Sequence, residues 1–458
     1  MRHQVWQRLL RRYLMSGKLP PVISRRVFLA APLIGIPYVA RAAGAVFDAD
    51  VIVIGAGAAG LAAAHELLRL KRKVIVLEAR GRVGGRIFTD HSLGAPYDAG
   101  AFYIHWAEKN SWTRIARLHG VKTLDEDEVQ RNGRSFDRGT PPASPDGVTA
   151  WDKLRERLDD SKARIADISM LEFAGGEKAA AAEGALTMAR LALGDEAERV
   201  SARDYARLWA GDDRLVPDGF GTILERYAKG LDIRLNTPVN TIDWGGRGVR
   251  VTTPDGTINA RSVVVSVPVG ALQSGSIKFT PGLPSINVAG LQGLGMGAST
   301  RMALRFDGAR FGLAPHTNVR LRLSARQSFS FGCFDWNRDL VTVYFGGDHA
   351  REVIAMGQEP ACAHVLDQFA GVMGNDVRQH YIGGRLNGWW NDPWSCGAYS
   401  HALPGRANAR EQLAEPVGAR IFFAGEATGG TGGSGAAITA GGAYLSGIVA
   451  ARKAAKTV

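Results

Sequence analysis

Three glycines, Gly55, Gly57 and Gly60, stand in a G-x-G-x-x-G spacing, and a carboxylate, Glu78, follows them about 20 residues on. The chemistry such a set can do is to hold a dinucleotide. The first glycine permits a tight turn, the second lets backbone approach a pyrophosphate, and the third lets a helix pack closely on a strand. The anion then rests on the N-terminus of that helix, whose first turn carries Ala58 and Ala59; unpaired N–H groups and the positive dipole end attract it by roughly 0.3–1 kcal/mol per favourable charge. Glu78 is placed to accept both ribose hydroxyls, and a 2′-phosphate would be repelled there.

These residues need a strand, a turn, a helix and a second strand to position them, and the sequence reads that way. Residues 51–54 are a β-branched run suited to a buried parallel strand, the helix is Ala/Leu-rich, and residues 73–77 form the second strand with Glu78 at its end. The continuation Glu78-Ala79-Arg80-Gly81-Arg82-Val83-Gly84-Gly85-Arg86 wedges two glycines among arginines, which argues for backbone close to a ligand rather than a solvated turn. Beyond it, residues 107–214 carry little motif content. Residues 152–164 and 177–210 have the Ala, Glu, Arg and Leu composition of helices, after a loop marked by Pro141, Pro142 and Pro145. Residues 219–229 read as a glycine turn and helix, 233–235 and 249–253 as strands with Asp255-Gly256 as a hairpin turn, and 262–269 as a fully buried strand. Residues 301–306, 328–333 and 340–345 read as strands of a mixed sheet, with a turn at 336–339, and 435–453 as a small-residue helix.

Residues 1–43 hold eight Lys/Arg and no acidic residue. They account for most of the +12 net charge; the remaining chain has 48 basic against 44 acidic residues. No basic block with interleaved aromatics is left, so nucleic acid is not expected as a partner. Ser24-Arg25-Arg26-Val27-Phe28-Leu29 resembles a twin-arginine export signal. An apolar stretch too short to span a bilayer follows, then Ala40-Arg41-Ala42 as a small-x-small cleavage site. The expectation is an exported or periplasmic protein that folds before it meets the twin-arginine translocon. Cys333, Cys362 and Cys396 are too widely spaced for a metal site and are read as inert thiols, and the ten histidines form no metal-binding pattern. No metal is expected.

The segment after the dinucleotide motif resembles that of the flavin-containing amine oxidase family, the monoamine oxidases, polyamine oxidases and lysine-specific histone demethylases. Three further segments resemble the family: Tyr97-Asp98-Ala99-Gly100-Ala101-Phe102-Tyr103, the W-x-x-D-P run from Trp389 to Ser400, and Arg420-Ile421-Phe422-Phe423-Ala424-Gly425-Glu426-Ala427-Thr428. The resemblance implies an α/β fold. A Rossmann-like FAD-binding domain of the GR2 type would comprise residues 48–106, 215–300 and 415–458, and a substrate domain of mixed sheet plus helices residues 107–214 and 301–414. It implies that Ala79 and Arg80 lie by the adenosine ribose, Gly85 and Arg86 by the pyrophosphate and flavin, Phe102 and Tyr103 against the flavin ring, and Val239 against adenine. Gly425 and Glu426 would bind the ribityl chain, and Gly433 and Ser434 would lie at the flavin pyrimidine, where the following helix points. Tyr399 becomes one wall of an aromatic cage before the flavin, with Trp389 packed near the ring; aromatic faces guide an alkylamine and tolerate its cationic form. His105 is read as a packed core histidine.

Three departures modify the expectation. Ala398 stands where some members carry a flavin-linking cysteine, so FAD is expected to bind non-covalently. Gly433 stands at the second cage position, leaving at most one wall of that kind. Arg301 replaces a lysine that contacts flavin N5 through water; arginine keeps the charge but not the ability to lose a proton, which bears on oxygen use. The function implied is oxidation of an amine C–N bond to an imine by hydride transfer to flavin N5. The imine hydrolyses, and the flavin is reoxidised by O2, giving H2O2, or by a periplasmic electron acceptor. A C–C desaturase and a flavin-bearing electron carrier without amine turnover are the alternatives.

Overall fold

In the computed structural model, strand Ala49–Ile54 lies inside a sheet, parallel to Val74–Leu77 on one side and to Gly256–Val265 on the other. Val51 and Val53 enter one apolar layer and Ile52 and Ile54 the opposite one. Both faces are covered, so this strand reads as continuously apolar rather than alternating. On one face helices Ala58–Arg69 and Ala440–Ala455 pack together, so closely that a Cβ at Gly447 would come within 2.1 Å of the Ala59 carbonyl oxygen. The structure describes residues 47–131, 135–139, 145–160, 165–208, 211–431 and 437–458; the export signal, Gly433 and Ser434 lie outside them.

Distant pieces of chain complete this sheet. Ile233–Arg234 extends it beyond Val74–Leu77, while Gly256–Val265 pairs with Val249–Thr253 along its first half and with Ile421–Phe423 along its second. The strand Ile421–Phe423 runs parallel to its neighbour, which delivers Gly425 and Glu426 to the same sheet end as Gly55.

A second, six-stranded sheet has the order Tyr381–Arg385, Ser299–Phe306, Leu340–Gly346, Ser328–Cys333, Thr317–Arg322, Ser135–Gly139, antiparallel except for the last pair. Phe306, Phe329, Phe331 and Phe345 pack from it against Phe369 of helix Gln358–Met373. A two-stranded ribbon, Leu294–Gly297 with Tyr399–Ala402, sets Gly297 opposite Tyr399 and runs directly into the Ser299–Phe306 strand. The fold is thus α/β, a Rossmann-like sheet beside a mixed sheet with helices.

Some element bounds differ from the sequence reading for physical reasons. The buried strand expected at 262–269 ends at Val265, because Pro268 caps a short helix, Val269–Gln273. The helix expected from 152 begins at Pro145, a residue whose fixed φ and missing N–H suit the first helical position, and ends at Asp160. The last helix starts at Ala440 rather than near 435, where the Thr439 side chain accepts from the Gly442 N–H (2.9 Å).

Candidate active site

The glycine turn is built as its spacing demands. Gly55 has φ +101°, and a Cβ at Gly60 would lie 1.8 Å from the Gly55 carbonyl oxygen, so the helix meets the strand with no room for a side chain. A Cβ at Gly57 would have only the Gly84 carbonyl oxygen nearby, at 4.0 Å, and one at Gly425 nothing within 4 Å. These two glycines leave open a cleft also lined by Ala58, Ala59, Ala79 and Gly85. Gly60 packs behind the turn. Glu78 is buried at the second strand's end, one carboxylate oxygen accepting from the Ala56 N–H (2.7 Å) and the other from the Arg80 N–H (2.9 Å). Val239 forms another part of the wall, and Thr439 and Ala440 bring the start of the last helix to it. Backbone, glycines, one fixed carboxylate and a helix N-terminus fit a dinucleotide.

Arginines close the cleft from the other side. Arg80 donates to Asp392 and to Ser395 Oγ (2.8 Å), tying the glycine-arginine turn to the tryptophan-rich segment. Arg86 donates to the Ala398 carbonyl (2.6 Å) and to Glu426 Oε1 (3.1 Å). Glu426 Oε2 accepts from the Ser400 hydroxyl (2.6 Å), and Ser400 Oγ accepts in turn from Arg410 (2.8 Å). Arg410 is fully buried and grips both carboxylate oxygens of Asp204 at 2.7 and 2.8 Å. Trp389 lines the cleft, its indole N–H donating to the Ala99 carbonyl (3.0 Å). Sequence reasoning missed Asp204 and Arg410, because a lone acid and a lone base far apart in the chain carry no spacing signal.

A second cavity of about 920 Å³ joins the cleft. Arg301, Tyr344, Tyr399, Ile438 and Thr439 line both. Tyr344 is the Cα partner of Arg301 across the second sheet. Its hydroxyl donates to the Leu191 carbonyl (2.7 Å) and lies 3.3 Å from Ser299 Oγ; burial pushes the phenols of Tyr344 and Tyr399 above the usual tyrosine range. A second tyrosine therefore lines the junction with Tyr399, supplied by the sheet and not by the glycine-rich turn. The sequence read 340–345 only as a strand, and the register that sets Tyr344 opposite Arg301 is not written locally. The Arg301 guanidinium stacks on Phe102, 4.0 Å from the ring centroid, with Thr342 Oγ1 at 3.3 Å and Asp335 at 3.9 Å.

Two placements bear on the sequence reading. The backbone that lines the cleft is Ala99, Gly100 and Ala101, whereas Phe102 and Tyr103 line the second cavity. The crossing comes earlier because Gly100 fits against the Arg86 carbonyl, which a Cβ would approach to 1.9 Å. His105 is not core: its side chain is 45% exposed, lines the second cavity and bonds Asp213 (2.8 Å). Cys333 and Cys362 are buried free thiols, burial pushing Cys362 up to about 11. Among the described residues no cluster of His, Cys, Asp or Glu is placed to hold a metal ion.

The chain matches the family model described as flavin containing amine oxidoreductase over residues 58–208 and 200–455. It is 31% identical over 444 residues to lysine-specific histone demethylase 1B of Mus musculus, covering 89% of this chain and 53% of the relative. It is 30% identical over 449 residues to polyamine oxidase 4 of Oryza sativa subsp. japonica, covering 89% of each. The chain spans about half the length of the histone demethylases it matches. Among solved structures, cyclohexylamine oxidase from Brevibacterium oxydans IH-35A shares the fold with a TM-score of 0.73 at 19% identity, over 89% of this chain and 99% of that one. Wild-type putrescine oxidase bound to putrescine does so with a TM-score of 0.71 at 22% identity, over 88% and 98%.

Proposed function

This chain belongs to the flavin-containing amine oxidoreductases, whose cofactor here is FAD, and on that premise we propose that it oxidises the C–N bond of an amine to an imine. Water then hydrolyses the imine to a carbonyl compound and an amine. When bound, FAD supplies the acceptor for the hydride leaving the carbon next to nitrogen, and O2, reduced to H2O2, or an exported electron carrier removes the electrons.

The observation that supports this reading is the junction of the two cavities, where Tyr344 and Tyr399 stand side by side. Their faces guide the alkyl part of an amine, and their buried, un-ionised hydroxyls keep negative charge away from the reacting carbon. Much of the rate comes from orientation and water exclusion between them. Glu78 and the glycine turn hold the adenosine diphosphate half of the cofactor; Arg86 and Glu426 hold the ribityl half. Arg301 stands at the junction as a fixed positive charge. Ala398 lines the cleft and Cys396 does not, which supports non-covalent attachment; acid precipitation should leave the flavin in the supernatant.

Anaerobic mixing of the yellow protein with a panel of amines tests the proposal. Bleaching by at least one amine is expected, and reduction only by a redox partner would overturn it. Tyr399→Ala should slow bleaching by about 10- to 100-fold, the scale of a lost orienting contact, with FAD retained; equal loss of both would assign Tyr399 to the fold. Admitting air afterwards reads the acceptor, slow reoxidation marking a dehydrogenase. For the export signal, Arg25→Lys with Arg26→Lys should retain the folded protein in the cytoplasm.

A further inference from the structure

The second cavity has a charge that a polyamine would not choose. Five arginines line it: Arg190, Arg301, Arg320, Arg322 and Arg338. Three carboxylates do so as well, and each is already held. Glu183 pairs with Arg322, Asp335 lies 3.4 Å from His316 and 3.9 Å from Arg301, and Asp98 accepts from the Thr89 hydroxyl (2.6 Å) and the Phe220 N–H (2.9 Å). A dication entering here meets an excess of like charge, and an anion meets the opposite.

Arg190 is the group that this excess leaves unanswered. It projects from helix Ala182–Leu193 and is 5% exposed; Nη2 donates to the Ala325 carbonyl, while Nη1 is buried with no hydrogen-bond partner. The carboxylates near it are engaged elsewhere, Glu183 by Arg322 and Glu196 by Arg326 (3.0 Å). A buried guanidinium N–H without an acceptor is costly and calls for one. The next residue on the same helix, Leu191, accepts from the Tyr344 hydroxyl, so the helix that carries Arg190 also fixes the aromatic junction.

We infer that the cavity takes an amine whose other end carries an oxyanion, a carboxylate in the first instance, and that the Arg190 side chain, which lines the cavity, receives it. The inference rests on the amine-oxidising reading for the fate of the amine, but the anion site can be measured without turnover. Guanidinium is suited to the task, since it stays charged when buried and donates along a fixed direction.

The test uses the FAD-loaded protein and calorimetry with two ligands that cannot be oxidised as amines at carbon, pentanoate and its uncharged isostere pentanamide. Pentanoate should bind at least roughly tenfold tighter, the scale of one charge-assisted hydrogen bond. Arg190→Gln should erase the difference, and Arg190→Lys should restore part of it, which separates a lost charge from a misfolded helix. Pentylphosphonate binding tighter than pentanoate would also support the site and assign it to a doubly charged oxyanion. In anaerobic flavin reduction, 5-aminopentanoate should show a lower KM than pentylamine, and 1,5-diaminopentane the highest. Equal binding of acid and amide, absence of pentanoate binding, or preference for the diamine would overturn the inference. If no amine bleaches the flavin while pentanoate binds through Arg190, the oxidase reading falls and the anion site stands.

Discussion

The nucleotide cleft and the cavity beside it are built on opposite principles. The cleft is walled largely by backbone: glycines, strand ends and the first turn of a helix, locked by arginines that point at protein acceptors. The cavity is walled by side chains on a sheet and on helices, and its arginines outnumber the acids that face them. A surface made of backbone fixes what it binds by shape; one made of side chains can change its ligand by exchanging a few residues while the sheet stays as it is. The cleft accordingly shows in the glycine spacing of the sequence, whereas the cavity is lined by residues scattered along the chain.

The largest effect expected from breaking this contrast lies in the lock of the cleft. Arg410→Met removes the buried partner of Asp204 and a donor to Ser400 and should cost about 3–5 kcal/mol in denaturant unfolding, because a stranded buried carboxylate is worse than none. Next come two alanines in one motif. Gly60→Ala forces a Cβ into the Gly55 carbonyl and should lower stability by about 3 kcal/mol. Gly57→Ala has room for the methyl and should leave stability within about 0.5 kcal/mol while weakening FAD binding, measured by flavin release on dilution. Equal stability losses would mean that Gly57 serves packing and not the ligand.

The cavity's effect depends on pH. Burial raises the Asp98 carboxyl from 3.8 to about 6, so the folded chain keeps a proton that the unfolded chain releases near pH 4. Stability from this group is present at pH 4 and is lost as pH rises through 6, by about 3 kcal/mol at most. Both hydrogen bonds to Asp98 end on Oδ1, which asparagine retains. Asp98→Asn should therefore unfold at higher denaturant than the parent at pH 7.5 and at a similar concentration at pH 4. A constant offset across that range would refute the assignment.

How much of this was legible in the sequence follows from the same contrast. Gly55, Gly57, Gly60 and Glu78 were readable because backbone geometry admits few residues at each position, and Tyr399 because its segment is continuous with Asp392 and Ser395, which hold Arg80. Tyr344 was not, since its place beside Tyr399 is set by strand register with Arg301, a long-range property. Phe102 and Tyr103 line the adjoining cavity and not the cleft, because the chain turns at Gly100, where the Arg86 carbonyl presses on it. The bond of Glu426 to Ser400, and of Ser400 to Arg410, joins residues whose types are common and whose separation is arbitrary, so only the folded chain reveals it.

The packing of Gly447 against Ala59 also sets an order of events during synthesis. The glycine turn leaves the ribosome well before the strand Ile421–Phe423 that brings Glu426 to it and the helix Ala440–Ala455 that braces it. An emerging chain has the floor of the cleft but neither its far wall nor its clasp. Cofactor loading thus waits for residues 421–455, and a ribosome stalled before residue 421 should display a chain that captures no flavin.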